Sequence, residues 1–167
     1  MSNPNQEAPK AGFKEYLESC TIVHYRKILV GVDHSYTSAR IFERALKLAQ
    51  IFCAKLYVVH VIPTKLPYQT SSKIEIEPEY YDIMQEKAQD IIKLTKKRMA
   101  ETGVEGDAFI IGGDPAGEIL KTAETMDIDL VVVGAKEKVG TLAHMGSVSK
   151  RVSEEAKCSV MIERIYS

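Results

Sequence analysis

The sequence predicts an α/β fold: a parallel β-sheet with helices on both faces. Two observations carry this. Five short apolar runs alternate with four segments whose apolar residues recur every three or four positions, the pattern of strands joined by amphipathic crossover helices. The 167 residues, 45% hydrophobic and 27% charged, suit one globular domain with a sizeable core.

The elements follow in order. Residues 1–25 are an N-terminal extension. Its first ten, rich in Asn, Gln, Pro and Ala, lack the apolar content to pack and are expected to be disordered, while Phe13, Tyr16 and Leu17 suggest one short amphipathic helical turn. The domain proper spans 26–167. Its first strand, Lys27 to Val32, is stopped by Asp33 and the polar stretch His34 to Ser38. A helix follows with Ile41, Phe42, Ala45, Leu48, Ala49 and Phe52 on its buried face. Leu56 to Ile62 is the second strand, closed by Pro63. Thr64 to Pro78 has no helical stripe and reads as a long surface loop.

A long helix from Glu79 to Glu101 turns Met84, Ala88, Ile91, Thr95 and Met99 to one side, with Gly103 as its stop. The third strand is Asp107 to Ile111. Asp114-Pro115 then opens a helix, Asp as N-cap and Pro in the first turn, with Ile119, Leu120 and Ala123 facing inward. Asp129 to Val133 is the most apolar strand and is expected to be central. The loop Gly134 to Met145 leads to a helix starting at Gly146-Ser147, and Cys158 to Ile162 is the last strand. Right-handed crossovers leave few topologies for this order.

Bulk properties exclude several classes. A balance of 22 basic against 23 acidic residues argues against broad binding to a nucleic-acid backbone or an anionic membrane, which need a basic surplus. No apolar run approaches the ~20 residues that cross a bilayer. Met1 to Lys10 has neither the basic nor the apolar region of a signal peptide, so a cytoplasmic protein is expected. Cys20, Cys53 and Cys158 are widely spaced and form no CxxC pair; they are expected to be small buried hydrophobes in a reducing compartment, not disulfides or zinc ligands.

In open parallel sheets, ligands bind beyond the carboxyl ends of the strands, where the strand order reverses. Asp33, Val61 and Gly134 stand at three such ends. After the fourth strand comes Gly134-Ala-Lys-Glu-Lys-Val-Gly140, and later Gly146-Ser147-Val148-Ser149 opens a helix. Glycines let the backbone aim its amides at an anion, and a helix N-terminus adds unpaired N–H groups and a positive dipole end. Ser147 and Ser149 would add hydroxyl donors to phosphate oxygens; the plain alternative is that Ser147 caps the helix.

Taken together, Ile28-Leu-Val-Gly-Val-Asp33-His-Ser35, His60-Val61, Gly113-Asp-Pro-Ala-Gly-Glu-Ile119, Asp129-Leu-Val-Val-Val-Gly134 and Gly146-Ser-Val-Ser149 occur in that order between Arg26 and Arg164. This ordered set resembles the universal stress protein family. The resemblance implies strand order 3-2-1-4-5, a Rossmann-like sheet with its switch point between the strands ending at Asp33 and Gly134. It implies an adenine nucleotide (ATP, ADP or AMP) as ligand, with magnesium or manganese able to join through the phosphates near Asp33. By similarity Asp33 would contact the nucleoside and Val61 would recognise adenine through its backbone. Gly134, Gly146 and Ser147 would hold ribose and phosphates, with Val133, Lys136, Val148 and Ser149 completing the contact set.

The sequence departs from that pattern in one loop. ATP-binding members have a second glycine three residues after the first and a Gly-Ser pair nine residues further on. Here the second position is Glu137, and the spacing to Gly146 is one residue short. A carboxylate there repels phosphates, and a side chain resists angles that glycine adopts; Lys136 and Lys138 flank it, and Gly140 offers another turn. Weaker or altered nucleotide binding, favouring fewer phosphates, is the expectation. The resemblance also implies a homodimer through the last strand at Val160 to Ile162, the alternative being a short edge guarded by Glu163 and Arg164.

Three functions follow for testing: a nucleotide-responsive stress or signalling module, a dimeric scaffold of the same fold without nucleotide, and a weak ATPase. The last lacks an evident base beyond Asp33. Other signals point elsewhere. Gly112 and Gly117 mimic the start of a P-loop, but Glu118 and Ile119 stand where it needs Lys and Ser or Thr, so a tight strand-to-helix turn is expected. His34 and His60, at or near strand ends, could lie near one another but are too few for a metal site without Asp33, so packed or solvent-edge histidines are expected, and His144 reads as a loop-surface residue. Lys93, Lys96, Lys97 and Arg98 suggest a solvated helix face. No nucleophile elbow or HExxH appears.

Overall fold

A computed structural model describes residues 12, 24–64, 78–135 and 145–164. The expected turn at Phe13 to Leu17, most of the surface loop after Thr64, and Lys136, Glu137, Lys138, Gly140 and His144 lie outside the described residues.

The strands are β1 (Lys27–Val32), β2 (Lys55–Pro63), β3 (Gly106–Gly113), β4 (Leu130–Gly134) and β5 (Ser159–Glu163). The helices are α1 (Tyr36–Phe52), α2 (Pro78–Glu101), α3 (Pro115–Thr125) and α4 (Ser147–Glu155). All neighbouring strands pair in parallel, in the order β3-β2-β1-β4-β5. Between β1 and β4 the winding direction reverses, as the sequence reading required.

Alternate residues of each strand feed two apolar cores. Ile28, Val30, Leu56 and Val58 pack with Ile41, Phe42 and Ala45 of α1 and with Ile92 and Met99 of α2. Leu29, Val59, Val131 and Val133 point the other way, to Ala116 and Ile119 of α3 and Val152 of α4. Helices therefore cover both faces, and Ile28, Leu29 and Val30 are each fully buried, worth about 1.5–3 kcal/mol per side chain. β4 is buried but lies beside β1, which holds the middle of the sheet. Its apolarity reports two covered faces, which any inner strand shares.

Helix faces differ from expectation by a residue or two. Leu46 is buried where Leu48 is only half-buried, Ile92 replaces Ile91, and Thr122 lies deeper than Leu120. Asp114 caps α3 as expected, its Oδ2 accepting from the Gly117 amide at 2.9 Å, with Pro115 in the first turn. Gly103, at φ 69°, ends α2. Lys96, Lys97 and Arg98 are exposed and ion-paired to Asp107, Glu101 and Glu43, the solvated face anticipated.

The cysteines correct an expectation. Cys53 is exposed and sits at φ 52°, ψ 38°, closing α1 through its backbone N–H to Ala49 O and Gln50 O. That is a chain-reversal position normally given to glycine, so geometry and not burial defines this residue. Cys158 is half-buried, and burial pushes its thiol pKa up.

One buried charge ties the amino end of the sheet together. Asp129, 3% exposed, accepts from the backbone amides of Arg26 at 2.8 Å and Lys27 at 2.9 Å through a single oxygen. It thereby anchors the start of β1 to the start of β4. No described helix is long and apolar enough to cross a membrane. At the sheet edge, Val160, Met161 and Ile162 of β5 are half-buried, and Glu163 pairs with Arg44 of α1 at 3.3 Å.

Candidate functional site

The carboxyl ends of β1, β2 and β4 end at different heights, and this makes the cleft. The β1–β2 ladder stops at Val32↔His60, whereas β2–β3 pairing continues to Pro63↔Gly113. Val61, Ile62 and Pro63 therefore run past β1, and their backbone on that side has no strand neighbour. Similarly β1–β4 pairing stops at Val30↔Val132, while β4–β5 pairing continues to Gly134↔Glu163. Val133 and Gly134 thus also project beyond their pairing with β1. Over the gap left by β1 stands the turn that begins with Asp33.

That turn is held by its own polar atoms. The Asp33 amide donates to Ser38 Oγ at 2.8 Å, and Asp33 Oδ1 accepts from the Ser35 amide at 2.8 Å. Ser35, the N-cap of α1 at φ −76° and ψ 151°, accepts from the Ser38 amide at 3.0 Å. One carboxylate oxygen is thereby spent on the turn, and the other has no hydrogen-bond partner among the described residues. Asp33 is exposed beside the positive end of α1, where a negative charge is favoured.

Gly134 lies close under α1. A Cβ there would collide with Ile41 Cδ1 of α1. The next amide, Ala135, donates to Glu163 O at 3.0 Å and so leaves the strand edge satisfied.

The two helix N-termini after β3 and β4 differ in chemistry. That of α3 already carries a carboxylate, Asp114, which also pairs with Arg151 at 2.5 Å. A Cβ on Gly113 would meet the Glu118 side chain, and one on Gly117 the Asp114 carboxylate. An anion would be repelled there, so the P-loop-like spacing is a structural turn. By contrast α4 begins at Gly146, φ −67° and ψ 162°, with no side-chain cap. Among the described residues none accepts from its first amides, which leaves them for another acceptor. Ser147 does not cap the helix: it is the first helical residue and is exposed. Ser149 is 1% exposed and its hydroxyl donates to Gly146 O at 3.1 Å, so it faces inward. Val148 packs at the edge of the α3/α4 core.

His60 was not among the anticipated contacts. It is 4% exposed, its Nδ1 donates to Val32 O at 2.8 Å, and its ring meets His34 edge-on with centroids 5.0 Å apart. Burial, first of all, lowers its pKa, and nearby His34 lowers it further; the bond to Val32 and the charge of Asp33 oppose this. Its inward parity on β2 was the available signal. Among the described residues no group of three His, Cys, Asp or Glu could hold a metal ion. A hollow of about 650 Å³ lies at the opposite end of the sheet, by Lys55, Tyr57, Met99 and Asp107. It receives the carboxyl end of α2, whose dipole disfavours anions.

Comparison with known proteins adds the following. The model of the family described as the universal stress protein family matches residues 24–164. Universal stress protein YxiE of Bacillus subtilis is 33% identical over 147 residues, 84% of this chain and 99% of that one. Universal stress protein UspA from Lactobacillus plantarum superposes with a TM-score of 0.74 at 26% identity, covering 86% of this chain and 100% of that chain. More distant in sequence, an Arabidopsis thaliana family protein with AMP bound matches with a TM-score of 0.59 at 22% identity, over 85% and 93% of the two chains. A universal stress protein in complex with cAMP matches with a TM-score of 0.63 at 24%, over 85% and 98%.

Proposed function

The chain belongs to the universal stress protein family, and from that premise we propose that it binds an adenine nucleotide at the carboxyl ends of β1 and β4, acting as a stress-response or signalling module. One observation carries the reading. At the reversal of strand order, Asp33 with one oxygen uncommitted, the backbone beginning at Val61 without a strand partner, and the uncapped start of α4 at Gly146, each so among the described residues, gather at the same end of the sheet. An adenine nucleotide needs those three things: an acceptor for ribose hydroxyls, backbone polar groups for the base, and amide donors for phosphate. Family members of the same fold hold cAMP and AMP, which supports the ligand class.

Within the contact set we assign Asp33, Val61, Gly146 and Ser147 to the ligand-facing side, and Gly134 by the family resemblance alone. Val133, Val148 and Ser149 support them from the interior. Lys136 is assigned to the phosphates by its place in the sequence alone. Glu137 and the shortened loop favour a single phosphate, so AMP is proposed to bind more tightly than ATP. The same departure favours the second reading, a scaffold without nucleotide that works through its dimer surface. In either case the half-buried edge at Val160 to Ile162 is proposed to pair with a second copy.

Calorimetric titration with AMP, ADP and ATP tests the reading. Binding of AMP that is abolished by Asp33→Ala, with the fold unchanged by circular dichroism, upholds it. No heat at millimolar nucleotide transfers the case to the scaffold, and tight ATP-selective binding overturns the single-phosphate preference.

A further inference from the structure

His60 occupies the last paired position of β1 and β2 and donates to the carbonyl of Val32. Val32 immediately precedes Asp33, so this ring holds the peptide from which the Asp33 turn departs. His34, within the turn and exposed, lays its ring against His60 at an interplanar angle of 73°. The remaining bonds of the turn are internal, between Asp33, Ser35 and Ser38. Among the described residues, the histidine contact therefore ties the turn to β2.

Two neutral imidazoles tolerate this packing, as do one neutral and one charged ring. Two imidazolium ions do not, because like charges in contact repel and one of these rings is shut away from water. Among the described residues, the titratable groups acting on His60 are His34 and Asp33, and β1 adds the Val32 carbonyl; no charged group of α1 or α2 is among them. The charge of Asp33 favours protonation of His60, and the neighbouring ring opposes it.

We propose that His34 and His60 form a proton-sensitive latch on the turn that presents Asp33. When both rings are charged, His34 leaves His60, Asp33 loses its placement, and nucleotide affinity falls. The effect on affinity rests on the nucleotide reading of the cleft; the latch itself does not. The burial that holds the His60 pKa down keeps the latch closed at neutral pH.

The test uses the full chain, its His60→Asn variant and its His34→Gln variant. Asn keeps a donor near the Nδ1 position without titrating, and His34→Gln removes the second charge without touching the core. Ring and backbone resonances are followed by NMR from about pH 7.5 to about pH 5, the range in which histidines titrate. In the free wild-type protein the amides of Asp33, His34 and Ser35 should move in step with the His60 ring, and in both variants that movement should vanish. The dissociation constant for AMP should rise on acidification by about tenfold more in wild type than in either variant, a ratio that cancels the titration of AMP itself. Amides that stay still while His60 titrates overturn the latch, as does the same movement in the variants. Absent AMP binding at neutral pH overturns the nucleotide reading instead, and the amide shifts still decide the latch.

Discussion

Replacing Asp129 by alanine should cost more stability than any other single polar change in the described structure. Its side chain is 3% exposed, and one oxygen receives two backbone amides, from Arg26 and Lys27. Hydrogen bonds to a charged acceptor contribute roughly 1.5–3 kcal/mol each, and stranded donors lose that in full unless water reaches them. Arg26 lies at the exposed end of the strand, so some of the loss is recovered there, and about 3–5 kcal/mol is expected. Since such domains are stable by about 5–15 kcal/mol, this is a large share of the total. Urea unfolding at neutral pH should show a midpoint lower by about 1.5–2.5 M at a slope of about 2 kcal/mol/M. Asp129→Asn keeps an acceptor oxygen and loses only the charge, so it should cost about 1–2 kcal/mol. An alanine variant within about 1 kcal/mol of wild type, with an unchanged slope, would refute the reasoning.

Cys53→Gly should stabilise the protein by about 0.5–1 kcal/mol, because the residue holds a left-handed conformation that glycine adopts freely; an equal or lower melting temperature would contradict this. In thiol labelling of the native protein, exposed Cys53 should react well before Cys158, whose thiolate is disfavoured by burial. Gly134→Ala should cost about 1–3 kcal/mol through its clash with Ile41. Adding Ile41→Val, which removes the clashing methyl, should recover part of that loss, and strictly additive costs would count against the contact. His60 has a folded pKa below its ordinary 6.5, so below about pH 6.5 the unfolded chain takes up a proton that the folded one resists. Its contribution to stability should therefore be intact above that pH and decline as the pH falls. The difference between wild type and His60→Asn in urea unfolding measures this, and a pH-independent difference would disprove it.

The candidate site was partly legible before any coordinates. Asp33 and Gly146 could be placed at strand and helix ends because those ends are marked by local chemistry. The role of Ser149 was not legible: a serine three positions past a glycine fits an open phosphate site or an inward hydroxyl equally well, and helix rotation decides between them. That His34 and His60 could meet was legible from their places near strand ends, but the bond of His60 to Val32 was not, since Val32 is 28 residues away in another strand.

By itself the sequence determined which segments are strands and which are helices, because periodicity, Asp114-Pro115 and Gly103 act within a few residues of where they stand. It also determined the order of the elements, from which the reversal beside β1 follows under right-handed connection. Only the tertiary structure decided that Asp129 binds amides 103 and 102 residues away, that Gly134 must yield space to Ile41, and that Cys53 faces solvent. Those outcomes depend on which surfaces meet across the sheet. No local pattern encodes such a meeting, because its energy belongs to pairs of residues that the chain itself holds far apart.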